Sequence, residues 1–403
     1  MKLRRRTRNL SLFLAFWMLL TLCALPIHAE QARGGSTALD VLGSGMETAD
    51  GSLNLSCKSA ILMEATTGAI LYTQNPDEAM APASVTKIMT LLLVMEAVDG
   101  GMLRLDDVVT VSANAASMGG SQVFLKEGEQ MSLEDMLKSV VIASANDAAV
   151  ALAEHLCGSV ESFVVKMNEK AAHLGMSSTH FENVTGLDDT AENHVTSAKD
   201  IAIMSRELVR HPTILQYSTL WMDSIRNGEF GLTNTNRLVR FYRGCTGLKT
   251  GSTSKAGFCV SATAERDGFS LICVIMGAES RDVRNAEATK LLDWGFANYA
   301  LYRMEAQALP PIKVLGGREA DCPIAHASFS CVLPKSAISS VQKSVQLPES
   351  VNAPISVGDT VGSMELRCGE QVIGTVPIHA TASVGRIGLF EIFWRMLAKF
   401  LMI

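Results

Sequence analysis

Ala81-Pro82-Ala83-Ser84-Val85-Thr86-Lys87-Ile88-Met89-Thr90 sets a lysine three residues after a serine, inside a run that otherwise reads as the start of a buried helix. Lysine is among the residues least often fully buried without a partner. Pro82 is a helix-start signal, and Ile88, Leu91, Leu92 and Met95 continue the apolar pattern, so a helix is predicted to begin near Ser84. On such a helix Ser84 and Lys87 share a face. A serine hydroxyl becomes an effective nucleophile when a base takes its proton. A lysine is that base when burial and its neighbours depress its pKa. At a helix N-terminus the Ser84 backbone N–H would also meet a developing oxyanion. Alone, a serine and a lysine at this spacing are common by chance, and a capping serine beside a snorkelling lysine is the simpler reading.

The surroundings suggest where this helix sits. Residues 59–63 and 69–72 are apolar runs joined by Glu64-Ala65-Thr66-Thr67-Gly68, a hairpin signal. Helical periodicity is predicted over 132–139, 147–155, 160–174 and 197–210, the last opening on Ser197-Ala198-Lys199-Asp200, similar to a capping box. From about residue 245 the period changes. Residues 257–265 and 269–277 are largely apolar, are separated by Arg266-Asp267-Gly268, and read as adjacent antiparallel strands. A helix follows over 282–299. The order strands, helical block, strands, helix predicts an α/β (α+β) sandwich with an antiparallel sheet and a helical insert. After Pro310-Pro311 the texture changes to short apolar runs at 312–315, 329–333, 341–346, 354–357, 360–366 and 372–377, which predict a small all-β domain.

Two further motifs raise the weight of the first. Ser144-Ala145-Asn146 lies between two helical stretches. A hydroxyl there can relay a proton from Lys87, and the Asn146 amide can bond both Lys87 and a substrate amide; the plainer reading is a helix N-cap. Lys249-Thr250-Gly251-Ser252-Thr253 opens the strand pair. A cation beside a hydroxyl suits a carboxylate, Gly251 lets a substrate approach the backbone, and the Ser252 N–H is a second oxyanion donor; the plainer reading is a polar strand edge. Each motif is weak alone. The ordered set S-x-x-K, S-x-N and K-T-G, separated by about 60 and 105 residues, is very improbable by chance.

With these motifs the chain resembles the penicillin-binding serine acyl-transferases, and within them the low-molecular-mass D-alanyl-D-alanine carboxypeptidases. Phe181-Glu182-Asn183-Val184-Thr185-Gly186-Leu187, the stretch from Gly247 through Lys255-Ala256-Gly257, and Leu291-Leu292-Asp293-Trp294-Gly295-Phe296 share the resemblance. It implies a β-lactamase and penicillin-binding-protein-like catalytic domain, a small β domain and a C-terminal amphipathic helix. It implies that Ser84 is acylated, that Lys87 is its base, and that Ser144 and Asn146 line the cleft. It implies that Lys249 and Thr250 hold the terminal carboxylate of a peptidoglycan stem peptide ending in D-Ala-D-Ala, and that β-lactams acylate Ser84. Arg284 is expected to assist with that carboxylate, against the alternative of a solvated arginine at a helix start. No metal or organic cofactor is implied. Relatives often carry histidine after K-T-G where Ser252 stands here. Some place a second arginine before K-T-G where Asn234-Thr235-Asn236 stands, so no residue is carried over there. The rival readings are a β-lactamase, which needs a deacylating glutamate between S-x-N and K-T-G, where Glu182 and Glu192 lie but in no recognised pattern, and a catalytically inactive peptidoglycan-binding protein.

The termini and composition narrow the setting. Lys2, Arg4, Arg5, Arg6 and Arg8 precede an apolar run over 10–25 and Pro26-Ile27-His28-Ala29, the pattern of a cleavable signal peptide. Removing those five cations takes the formal net charge from −6 to −11, which argues against nucleic-acid binding. At the other end, Glu391, Arg395 and Lys399 stack at i, i+4 and i+8, while Phe390, Phe393, Trp394, Leu397, Phe400 and Leu401 fill the opposite side. Residues 385–403 therefore fit a helix lying in a membrane interface, on the outer face of the bacterial cytoplasmic membrane. The predicted division is a signal peptide at 1–29, a linker at 30–55, the catalytic domain at 56–305, the β domain at 306–382 and the anchor helix at 383–403. Of the nine cysteines none forms Cys-x-x-Cys, and Cys322 with Cys331 is the first choice for a local bridge, against buried free thiols.

Overall fold

The structure is a computed structural model, and it describes residues 53–188 and 191–400. The predicted signal peptide with Cys23, nearly all of the predicted linker, the side chain of Lys399 and residues 401–403 lie outside the described residues.

Five antiparallel strands form the central sheet: β1 (Ser59–Glu64), β2 (Ile70–Gln74), β3 (Cys245–Thr253), β4 (Gly257–Arg266) and β5 (Phe269–Ala278), in the order β2-β1-β5-β4-β3. The chain ends of the catalytic region thus meet in one sheet, with Ile61 opposite Val274 and Lys249 opposite Ser261. The inner strands β1 and β5 are apolar at almost every position because both faces are covered, whereas the edge strand β3 carries the polar Lys249-Thr250-Gly251-Ser252 run. Ile61, Met63, Ile272, Val274 and Met276 point into the helical layer. Their neighbours Ala60, Leu62, Leu271, Cys273 and Ile275 point to the opposite face. That alternation is the period of two of a strand.

The helical layer contains α1 (Lys87–Asp99), α2 (Leu133–Ala143), α3 (Asn146–Cys157), α4 (Val160–His173) and α5 (Ala198–Leu208). Helix α6 (Arg281–Asn298) covers the other sheet face through Ala288, Leu291 and Leu292. Ser132, Ser159, Ser197 and Ser280 cap α2, α4, α5 and α6 by accepting a backbone N–H three residues on. Helix α1 is apolar nearly all round and lies inside this layer, as such a helix must.

The helix predicted from Ser84 starts at Lys87 instead. Ala83–Thr86 is a 3-10 turn, entered through Ala83 at φ +49°. This left-handed backbone is strained for a residue with a Cβ. The tight turn swings Ser84 to the edge of the layer while Lys87 is carried inside.

The small domain begins with β6 (Tyr299–Met304), which pairs with β9 (Phe329–Pro334). The remaining strands are β7 (Gln307–Leu315), β8 (Asp321–His326), β10 (Val341–Gln346), β11 (Ser350–Asn352), β12 (Thr360–Cys368) and β13 (Gln371–Ala380). They form a six-stranded sheet in the order β10-β12-β13-β8-β7-β11. The segment 354–357 is not a strand; only Ile355 forms a bridge, to Val384. Cys322 and Cys331 are not bonded, because they lie in different sheets, opposite Ile312 and Tyr302.

Helix α7 (Leu389–Phe400) ends the described chain. Its polar side faces the protein: Glu391 pairs with Arg318 at 3.2 Å and Arg395 donates to the Arg318 carbonyl at 2.5 Å. Its apolar side faces out, with Phe390 73% and Trp394 54% exposed. Among the described residues no single helix is long and apolar enough to cross a membrane.

Candidate active site

The turn before α1, the junction of α2 and α3, and strand β3 bring the three motifs together. Lys87 is fully buried, and its Nζ lies 2.9 Å from Ser84 Oγ, 2.6 Å from Asn146 Oδ1 and 2.9 Å from the Thr185 carbonyl. Burial drives the Lys87 pKa well down, and the nearby Lys249 adds to this, against a smaller opposing effect of Asp147. The amine is thus neutral far below the pH at which a free lysine loses its proton.

Ser144 ends α2 in the left-handed region, at φ +63°, and turns its hydroxyl towards the sheet. There it accepts from Lys249 Nζ at 2.8 Å. Asn146, two residues on, begins α3 and donates its Nδ2 to the Gly119 carbonyl at 2.7 Å, which leaves Oδ1 aimed at Lys87. Asp147 anchors the loop in front of it. Its buried carboxylate accepts the backbone N–H groups of Val123 and Leu125 at 3.0–3.2 Å.

Strand β3 passes beside Ser84 at Gly251. A Cβ there would lie 2.7 Å from the Ser84 nitrogen and 2.9 Å from that of Val85, so only glycine fits without displacement. Lys249 is buried, also donates to the Thr250 carbonyl at 3.0 Å, and has its pKa lowered to about 7 by burial and then by Arg284. Thr250 donates its hydroxyl to Thr235 Oγ1 at 2.8 Å. Ser252 is exposed at the mouth.

These residues open on a cavity of about 670 Å³ lined by Ser84, Ser144, Thr250, Gly251, Ser252 and Arg284. Arg284 is 3% exposed and donates to the Cys259 carbonyl at 3.4 Å, so it is not a solvated helix-start arginine. Burial and the adjacent Arg281 and Arg237 lower its pKa to about 10. Arg237, Arg240, Arg281, Trp221, Ser121 and Thr235 also line this cavity and escaped the sequence reading. The passed-over stretch Asn234-Thr235-Asn236 had the signal next to it: Arg237 follows directly. No carboxylate lines the cavity among the described residues, and the Glu182 carboxylate instead accepts the Asn193 N–H at 3.2 Å.

A serine held against a neutralised lysine, with a second buried lysine, backbone N–H groups and a cationic far wall, is a site for acyl transfer to serine. Residues 46–280 match the family described as D-alanyl-D-alanine carboxypeptidase, and residues 309–386 match the penicillin-binding protein 5 C-terminal domain. The chain is 41% identical to the D-alanyl-D-alanine carboxypeptidase DacF of Bacillus subtilis over 346 residues, which is 84% of this chain and 88% of that protein. Its fold is similar to penicillin binding protein 5 from Haemophilus influenzae, with a TM-score of 0.73, 31% identity, and coverage of 83% of this chain and 98% of that one. It is also similar to penicillin-binding protein D2 from Listeria monocytogenes in its ampicillin-bound form, with a TM-score of 0.56, 33% identity, and coverage of 61% and 100%. The chain belongs to the D-alanyl-D-alanine carboxypeptidase family of penicillin-binding serine peptidases.

Proposed function

We propose that the chain removes the terminal D-alanine from peptidoglycan stem peptides through an acyl-enzyme on Ser84. The observation that carries this is the environment of Lys87. A neutral amine has two N–H groups and one lone pair. Asn146 Oδ1 and the Thr185 carbonyl take the two N–H groups, and the lone pair is left for the Ser84 hydroxyl. Ser84 Oγ attacks the carbonyl of the penultimate D-alanine as Lys87 accepts its proton. The backbone N–H groups of Ser84 and Ser252 face the resulting oxyanion. The proton returns through Ser144 to the nitrogen of the departing D-alanine, and water then releases the acyl group. Thr250, Lys249 and Arg284 take the terminal carboxylate, and Gly251 gives the substrate room beside β3. β-Lactams acylate the same serine.

The apolar side of α7 docks the protein on the outer face of the cytoplasmic membrane. What supports this is its outward direction together with the bonds that tie its polar side to Arg318. Incubation with a synthetic peptide ending in L-Lys-D-Ala-D-Ala tests the activity. Release of one free D-alanine per peptide supports it, and no release by folded protein that is acylated by penicillin refutes the carboxypeptidase reading.

A further inference from the structure

His194 is 3% exposed and has no part in the steps above. Its ring joins two segments that are far apart in the chain. The Glu182 backbone N–H donates to Nδ1 at 3.0 Å, which places the ring proton on Nε2. Nε2–H donates to Thr86 Oγ1 at 2.8 Å, and the Thr86 hydroxyl donates to the Ala83 carbonyl at 2.9 Å. The bonds therefore run from the loop that carries Thr185, through the imidazole, to the strained residue that precedes Ser84. Burial lowers the His194 pKa to about 4, so the neutral ring is the form present at neutral pH. Glu182, Asp188, His180 and Lys255 are the charged or titratable groups that face it, and the edge of the ring packs against Phe181.

We propose that His194 is a positioning residue for the nucleophile, clasping the 182–188 loop to the 83–86 turn and so holding Ser84 and Lys87 in reacting register. The proposal rests on the assignment of Ser84 as nucleophile and Lys87 as its base. Two more bonds cross the same seam: Thr90 Oγ1 to the Val184 carbonyl at 2.8 Å, and Lys87 Nζ to the Thr185 carbonyl. The seam is tight. A Cβ on Gly186 would come within 1.8 Å of the Ala83 carbonyl oxygen, and Gly186 itself sits at φ +82°. Apart from Lys87 itself, His194 is the side chain among the described residues whose hydrogen bonds join the loop on one side to the nucleophile turn on the other. Without it the Glu182 N–H loses its acceptor and Thr86 Oγ1 loses the donor that fixes it to the loop, the turn that holds Ala83 is free to shift against the loop, and the acceptor that steers the Lys87 lone pair shifts with it. The substrate-binding side chains of β3 and α6 are not part of the clasp.

Three variants test it: His194→Ala, His194→Gln and Thr86→Val, the last cutting the clasp from its other end. Each is checked for folding by circular dichroism. The rate constant for acylation by benzylpenicillin is then measured, together with kcat and KM on a D-Ala-D-Ala peptide. A displacement of about 1 Å at a reacting atom slows chemistry by about 100-fold, so His194→Ala and Thr86→Val are each expected to lose roughly that factor in acylation rate and kcat, with KM near wild type. His194→Gln, whose amide N–H takes the place of Nε2–H, is expected to recover a large part of the loss. Wild-type acylation by folded His194→Ala or Thr86→Val would overturn the proposal, as would a loss seen only in KM or a glutamine variant no better than alanine. If His194→Ala does not fold, Thr86→Val decides. A wild-type protein that forms no adduct would refute the assignment of Ser84 itself, and the clasp with it.

Discussion

Replacing Gly251 by alanine probes how closely β3 must approach the nucleophile. The new Cβ would lie 2.7 Å from the Ser84 nitrogen, 2.9 Å from the Val85 nitrogen and 3.0 Å from the Ala83 Cβ. Ordinary contact begins near 3.4 Å, so the strand and the turn must separate by about 0.7 Å. None of the three atoms is the flexible end of a long side chain, so the separation has to come from backbone. It would widen the gap between the Ser84 and Ser252 N–H groups that are proposed to hold the oxyanion. Loss of one such donor slows the chemical step by about 100- to 1,000-fold, and a sub-ångström displacement is a partial loss, so a fall of roughly 30- to 100-fold in acylation rate is expected. Overpacking of this kind typically destabilises by about 1–3 kcal/mol, which a domain of this size survives. The assay is stopped-flow acylation by a chromogenic cephalosporin, paired with a thermal melt. A folded Gly251→Ala protein with wild-type acylation would refute the close-approach reasoning and the oxyanion geometry built on it.

Arg284→Ala removes the most buried guanidinium of the cavity, and the proposed carboxylate-holding role places its effect in substrate binding. A hydrogen bond to a charged group contributes about 1.5–3 kcal/mol, so KM for a D-Ala-D-Ala peptide is expected to rise by roughly 10- to 100-fold with a smaller change in kcat. Lys249→Met should change the dependence of stability on pH. The folded-state pKa of Lys249 is depressed from 10.5 to about 7. Below pH 7 the wild-type protein therefore buries a charge, and between pH 7 and 10.5 the unfolded chain binds the extra proton, so the contribution of Lys249 to stability rises with pH. The stability of Lys249→Met relative to wild type should fall across that window in paired thermal melts. Phe393→Ser with Trp394→Ser should release the protein from anionic lipid vesicles in a flotation assay without altering acylation, because both rings lie on the outward side of α7.

Much of the site was legible because its chemistry is written in short motifs. Ser84 with Lys87, Ser144 with Asn146, and the K-T-G stretch are each compact in sequence, and hydrogen bonds bring the three together. What the sequence lacked was whatever depends on long-range packing. Arg284 could not be separated from a solvated arginine until the sheet was seen to bury it. Trp221, Thr235 and Arg237 reach the cavity from a connecting segment with no period of its own. His194 carries no motif at all, and its two ring bonds form only where distant segments of the chain touch. In the fold, β1, β2, β4 and β5 followed from their apolar runs and the turns between them, whereas β3 is mostly polar and was legible only as a strand edge at its K-T-G stretch. The start of α1 was misplaced by three residues because a strained Ala83 is invisible to propensity. Strands β6, β8 and β11 were missed: β6 follows directly on a helix, β8 carries a mid-strand proline, Pro323, and β11 is only three residues long, all weak strand signals. The i, i+4, i+8 spacing assigned the two sides of α7, but not that the polar side would be the one tied to the protein.

The central claim is that Ser84 is a nucleophile activated by Lys87. Intact mass of the purified protein after exposure to benzylpenicillin tests it most directly, beside a Ser84→Ala control. The account predicts one penicilloyl adduct on the wild-type chain and none on the control. A folded wild-type protein without an adduct, or an adduct that persists in Ser84→Ala, would contradict it.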